Sequence, residues 1–415
     1  MTVDATPSVA HRLRRMTGRD HHEDGRTASD LELFFDLTFV VAFSVAGVQV
    51  AEYLAEGHYR TAIVGFLFAS FSTIWAWINF SWFASAFDTD DWVFRVVTMV
   101  QMGGVLILSL GVASVFSSVD SGATIDNRVM VLGYVVMRVA MMVQWLRAAT
   151  QSETYRRTCL TYAVAILVAQ IGWVVVIVLE MALVPTLVAT VVLVGVELAG
   201  PFVAERRMPT PWHPHHIAER YGLLAIITLG EGIVGTAVAL QSVIAAQGWT
   251  VQTVVLGLAG IAITFSLWWI YFVVPTGDAL ERDRSKCFVW GYSHILVFMA
   301  IAAVGAGLHV AALYIEYHSE VGAAVVVTAV AVPLAVYFVM LTLTYSYLVE
   351  FDVLNAALTL GGLVVLGVAV AAAAAGVPLV YALVIAAVAP VGIVAVDEAV
   401  GTRRRAEALV RLRSS

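Results

Sequence analysis

Ionisable side chains set inside apolar stretches are where this sequence could do chemistry, since each costs about 2.5–3.5 kcal/mol at the centre of a membrane helix and so asks for a reason. Four stand out: Arg138, Glu231, Asp36 and His294. Glu231 falls near the middle of one apolar stretch and Arg138 near the middle of another, which predicts a shared depth and a mutual ion pair. Such a pair either fixes helix packing or takes part in binding an ion or a substrate. Asp36 follows Glu32 by four residues, so both carboxylates lie on one helical face near the end of a stretch. Arg95, Glu219 and Arg220 fall at a similar depth, and the expectation is a charge cluster that either pins helices together or works as a gate or proton relay. His294 is the side chain suited to proton exchange near neutral pH, and is also explained as a histidine hydrogen-bonded within a bundle.

Other candidates are weighed the same way. His213, His215, His216 and Glu219 crowd one helix entrance, and His215 with Glu219 has the spacing for shared metal ligation. Pro214 interrupts the run and no cysteine or second carboxylate completes a set, so no metal is expected. Glu219 also suits the positive end of a helix dipole. Trp75, Trp77, Trp268 and Trp269 lie inside spans, where they either pack at crossings or box a cation. Asn79, Gln101, Gln144 and Gln170 offer interhelical hydrogen bonds, and Glu197 is expected near the inner edge, within snorkelling reach. Cys159 and Cys287 are expected as free thiols near cytoplasmic helix ends. No glycine-rich phosphate loop, nucleophile elbow or catalytic carboxylate pair facing a soluble pocket is present, so neither an enzyme nor a cofactor is expected.

The elements that must position these residues follow from composition. The chain is 60% hydrophobic and 13% charged, against about 25% charged in an ordinary soluble domain. With a mean hydropathy of +0.88, this excludes a soluble globular enzyme and predicts an all-α polytopic membrane protein. The alternating strands of an outer-membrane barrel are absent. Apolar runs predict twelve helices, at 31–55, 61–86, 92–117, 128–149, 158–180, 182–204, 217–242, 250–275, 286–312, 321–348, 352–375 and 378–399. Arginines gather before the first helix and after the fourth, sixth, eighth and twelfth, while only Arg60 and Arg128 fall opposite. Both termini are therefore expected in the cytoplasm. The polar first 30 residues hold no apolar core for a cleavable signal peptide.

The sequence also suggests an internal repeat. FSTIWAWINF and TFSLWWIYF place Trp75 and Trp268 193 residues apart, and the same offset relates Val184-Pro185 to Val377-Pro378. Two copies of six helices insert in the same direction, an arrangement that places a site between them near the midplane. The expected division is a polar cytoplasmic tail (1–30), a first repeat (31–207), a second repeat (208–400) and a basic tail (401–415) suited to anionic lipid headgroups.

The segments ELFFDLTFVVAF (32–43), WAWINFSWFASAFDTDDWVFR (75–95), HIAERYGLLAIITLGEGIV (216–234), FSLWWIYF (265–272) and GYSHILVFMAIAAVGAGL (291–308) resemble the bacterial low temperature requirement A family. The resemblance spans most of the chain and implies a multi-pass plasma-membrane protein named for a cold-growth phenotype, with no substrate attached. A weaker likeness is to the endolysosomal potassium channel family, whose opening helices carry an Arg…Phe-Ser-Asp pattern. Here Phe34-Phe35-Asp36 lacks the serine and the seventh helix has no matching aspartate. The leading expectation is a transporter of a small ion or solute, with Glu231, Arg138, Asp36 and His294 at its site. The alternatives are an ion channel and a non-transporting protein of cold or envelope adaptation. Its partners are expected to be the lipid bilayer, the transported ion or solute and, as an open possibility, further copies of itself, but not nucleic acid.

Overall fold

A computed structural model describes residues 12–21, 23, 25–316 and 319–401; the arginines of the basic tail lie outside them. Among the described residues, twelve helices are long and apolar enough to cross a membrane. They run Asp30–Ala55, Tyr59–Phe87, Trp92–Ser121, Arg128–Gln151, Arg156–Leu179, Leu183–Glu205, Pro214–Gln247, Val251–Phe272, Cys287–Ile315, Ala323–Leu348, Val353–Ala374 and Leu379–Val396, and are called the first to twelfth spans. A short helix, Thr276–Arg282, follows the eighth. Among the described residues there is no strand, only an isolated bridge between Thr124 and Ala182. The expected all-α membrane fold is therefore present, and most span boundaries fall within three residues of those read from apolar runs.

The seventh span departs most from its apolar run, and its earlier start has a local cause. The seventh span begins at Pro214, where His213 caps the helix through its side chain and proline takes the first turn, where its missing N–H is not needed. Polar residues thus carry the helix beyond its apolar stretch at the start, and it continues to Gln247 at the other end. The first span opens on a capping box: the Ser29 hydroxyl accepts from the Glu32 amide and the Glu32 carboxylate accepts from the Ser29 amide at 2.8 Å.

The second and ninth spans are the most buried and the sixth and eleventh the least. The ninth packs against the first, second, seventh and tenth, making it the centre of the bundle. Small residues allow the closest approaches, because they let backbones meet in a bilayer. A methyl group on Gly305 would lie 2.6–2.8 Å from the Glu231 backbone and Cβ, and one on Gly235 would lie 2.5 Å from the Gly305 carbonyl. The eighth span is covered by the twelfth. A groove opens instead between the second and sixth spans, lined by Phe71, Thr190, Leu198, Tyr292 and Leu296.

The described residues between 12 and 29 lie across one end of the bundle. Met16 is fully buried, the Arg19 amide donates to the Ala86 carbonyl at 2.9 Å, and Arg26 donates to the Ala84 carbonyl at 3.0 Å. Beneath them, Asp91 caps the third span and is gripped by Arg147 and the Arg14 amide, so hydrogen bonds from these donors hold its carboxyl down at about 2 despite its burial. Asp88 has poorer company, with the Asp90 amide at 2.8 Å and the Arg19 guanidinium at 3.9 Å. Burial, reinforced by the Glu32 charge, pushes its carboxyl up to about 6. A carboxyl raised on folding stabilises the fold below its unfolded value of about 4, and that stability is lost as pH rises through about 6. Asp88→Asn is therefore expected to raise the thermal unfolding midpoint in detergent at about pH 7.5, by a free energy on the order of 2–3 kcal/mol. The gain should vanish below about pH 4. A midpoint difference that is the same at about pH 7.5 and about pH 4 would contradict this account.

Candidate functional site

Three buried polar centres are built by these spans, and they divide the sequence-predicted residues differently from the expectation. The first joins the first and seventh spans. Glu32 and Asp36, four residues apart on one face, both point at Arg220: its Nη1 lies 2.7 Å from Glu32 Oε1, and its Nη2 and Nε donate to the two oxygens of Asp36. Trp77 Nε1 donates to Asp36 at 2.7 Å, and His216 Nε2 stands 3.2 Å from Glu32. All four ionisable side chains are essentially sealed from solvent.

Two expected members are absent from this cluster. Arg95 pairs instead with Asp90 at 2.8 Å in a half-exposed bridge, because the turn at 88–91 brings that aspartate back onto the first turn of the third span. Glu219 accepts from the Ala28 amide at 3.2 Å and anchors the segment leading into the first span. His216 fills the vacancy. Its spacing of four from Arg220 places both on one helical face, a signal that was present in the sequence. His215 turns away and meets Glu281 at 3.1 Å rather than Glu219. With Asp278 they form an exposed group of possible ligand atoms lying within 4.8 Å of one another.

The second centre overturns the expected Arg138–Glu231 pair. Arg138 Nη2 lies 2.7 Å from Glu197 Oε2. Glu197 also accepts from Trp75 Nε1 at 3.0 Å, Tyr134 Oη at 2.8 Å and Gln170 Nε2 at 3.1 Å. Equal depth did not make Arg138 and Glu231 neighbours: the fourth span packs on the third and fifth, while the seventh packs on the first, eighth and ninth. Nor does Glu197 snorkel. It sits eight residues before the end of its span, roughly 12 Å at 1.5 Å per residue, which is too deep to reach water.

Glu231 is the third centre and has a sparse environment. The Ser44 hydroxyl of the first span donates to its Oε1 at 2.5 Å, and the other oxygen looks toward Gly47, where a Cβ would stand 3.7 Å away. Among the described residues no basic side chain is within ion-pair reach. His294 joins none of these centres. Its Nδ1 bonds the Trp290 carbonyl at 2.8 Å, and rings of Tyr221, Tyr271, Trp290 and Phe298 enclose it. Of the tryptophans expected to pack or to box a cation, Trp75 and Trp77 are buried donors to carboxylates, while Trp268 and Trp269 are exposed on the outer surface. Cys159 and Cys287 are buried and unbridged, as expected.

A family model described as bacterial low temperature requirement A protein matches residues 27–395 of this chain. The chain is also similar to a protein described as uncharacterized protein RA0937, from Rhizobium meliloti (strain 1021), with 24% identity over 307 residues that cover 69% of this chain and 70% of that one. No solved structure matches it.

Proposed function

The chain belongs to the bacterial low temperature requirement A family, and from that premise we propose that it is a plasma-membrane carrier that exchanges a small cation or a proton at Glu231. The supporting observation is the environment of that residue: a carboxylate in a membrane-spanning helix, met by one serine hydroxyl and by no basic side chain among the described residues. An ionised carboxylate so placed is costly, so it takes up a proton or a cation, whereas the other two centres bring their own arginine. Its position between the first and seventh spans agrees with a site between two parallel six-helix repeats. Similar neighbour relations support that division, since the third span packs on the first and fourth much as the ninth packs on the seventh and tenth.

In this reading Glu32, Asp36 and Arg220 hold the two opening spans together beside the site, and Arg138 with Glu197 is structural. His294, enclosed by rings, is assigned no part in exchange. Both termini face the cytoplasm, so Thr124→Cys should react with a membrane-impermeant maleimide in intact cells; protection of that position would reverse the orientation. For function, the purified chain in proteoliposomes is expected to support saturable cation or proton flux, and Glu231→Gln to reduce it at least tenfold while the folded yield is retained. Large unsaturable current would indicate a channel, and absence of flux a non-transporting role. Unchanged flux in Glu231→Gln would remove the residue from the mechanism.

A further inference from the structure

The histidine run at the entrance to the seventh span lacks a second carboxylate in the sequence, and folding brings two. His213 caps the helix and Pro214 takes its first turn, so His215 and His216 leave the helix about 100° apart. His216 points inward to Glu32, and His215 points out to water, its side chain 47% exposed. The short helix Thr276–Arg282, after the eighth span, packs against the seventh. It carries Asp278 and Glu281 three residues apart, hence on one face.

A glycine permits the approach. A Cβ on Gly277 would stand 2.4 Å from His215 Nδ1 and 3.0 Å from its Cε1, so the absence of a side chain there lets the imidazole lie on this helix. His215 Nε2 stands 3.1 Å from Glu281 Oε2, and one ligand atom from each of His215, Asp278 and Glu281 lies within 4.8 Å of the others.

These distances fit a metal ion. A tetrahedral ion with bonds of about 2.0–2.2 Å holds its ligand atoms roughly 3.4 Å apart, close to the His215–Glu281 spacing and within reach of Asp278 by side-chain rotation. Two carboxylates drawn this close repel each other, and a divalent cation between them balances both. Asp278 has room for it beside any other partner, since a carboxylate offers about four lone-pair sites. The donor set, one imidazole with two carboxylates, also selects the ion. Calcium and magnesium take roughly six or more oxygens, whereas zinc takes three protein ligands of mixed histidine and carboxylate type and keeps a water in the fourth position.

We propose that His215, Asp278 and Glu281 form a surface site for a zinc-class divalent ion, which clamps the entrance of the seventh span to the helix before the ninth. All three side chains reach the surface, so the ion enters from water without opening the bundle. The inference does not depend on exchange at Glu231, which shares no residue with this group.

The test is a calorimetric titration of the metal-stripped, tag-free full chain in detergent with zinc chloride and with magnesium chloride. Zinc is expected to bind saturably at one equivalent, with magnesium at least a hundredfold weaker, and to raise the thermal unfolding midpoint, because an ion that binds only the folded chain stabilises it. His215→Ala and Asp278→Asn should each weaken zinc at least tenfold, and Gly277→Ala, which pushes the imidazole aside, at least fivefold. These positions lie outside the buried polar centres, so folded yields should match the parent. No saturable zinc binding, magnesium binding as tightly as zinc, or a His215→Ala titration matching the parent would each overturn the proposal. If His215→Ala fails to accumulate, Asp278→Asn decides: zinc binding equal to the parent counts against the site.

Discussion

Arg220→Leu is expected to abolish accumulation of folded protein, the largest effect of any single substitution in the first–seventh span cluster. The guanidinium is the shared partner of Glu32 and Asp36, and all three are sealed from solvent. Removing one partner of a buried ion pair costs about 3–5 kcal/mol, because the other charge is left uncompensated; here two carboxylates are left at once. Total stabilities of folded domains are only about 5–15 kcal/mol, so the loss is of the same order as the whole. Neutralising the orphaned groups should restore much of it. In the triple variant Glu32→Gln, Asp36→Asn, Arg220→Leu, the glutamine side chain can still serve the capping box with Ser29, and the asparagine side chain keeps an oxygen for Trp77 Nε1. Fluorescence-detected size-exclusion chromatography in detergent should therefore show aggregated Arg220→Leu and a recovered monodisperse peak for the triple variant. A single variant that elutes like the parent, with an unfolding midpoint within about 2 °C, would show that the cluster adds little to stability.

What the sequence made legible was most of what depends on position along a helix, although Glu197 lies deeper in its span than its place in the apolar run suggested. The twelve apolar runs give the spans to within three residues at most ends, since a bilayer fixes how long such a run must be. The pairing of Glu32 and Asp36 on one face follows from helical spacing alone, and Arg220 was expected at their depth. What stayed hidden was sideways. Arg138 and Glu231 were matched by depth, yet which helices stand side by side is set by packing among small residues such as Gly235 and Gly305, and depth carries no trace of it. Arg95 went to Asp90 for a similar reason, because a tight turn supplied a nearer carboxylate than the cluster did.

The same sideways information makes Glu197 the centre of the second large expected effect. Its two oxygens receive four donors: Trp75 Nε1 and Arg138 Nη2 on Oε2, Tyr134 Oη and Gln170 Nε2 on Oε1. Two carboxylate oxygens offer about four lone-pair sites, so the acceptor capacity is filled. Glu197→Gln, ordinarily mild, replaces one of those oxygens with an NH2 group that cannot accept and would face two donors. It also leaves Arg138 without a counterion, and the Arg138 Nε and Nη1 atoms already lack partners. The expected cost is about 3–5 kcal/mol, read as a collapse in folded yield. Glu197→Asp keeps the charge but retracts it by one methylene, and should fall between the glutamine variant and the parent. Combining Arg138→Met with Glu197→Gln should lose clearly less than the sum of the single variants, because the two groups are in contact. Combining Arg138→Met with Glu231→Gln should instead be additive, since Arg138 and Glu231 share no contact. A double-mutant cycle on unfolding midpoints in detergent separates the two outcomes. Coupling between Arg138 and Glu231 as strong as that between Arg138 and Glu197 would mean that the fourth and seventh spans meet, contrary to a packing in which the fourth lies on the third and fifth.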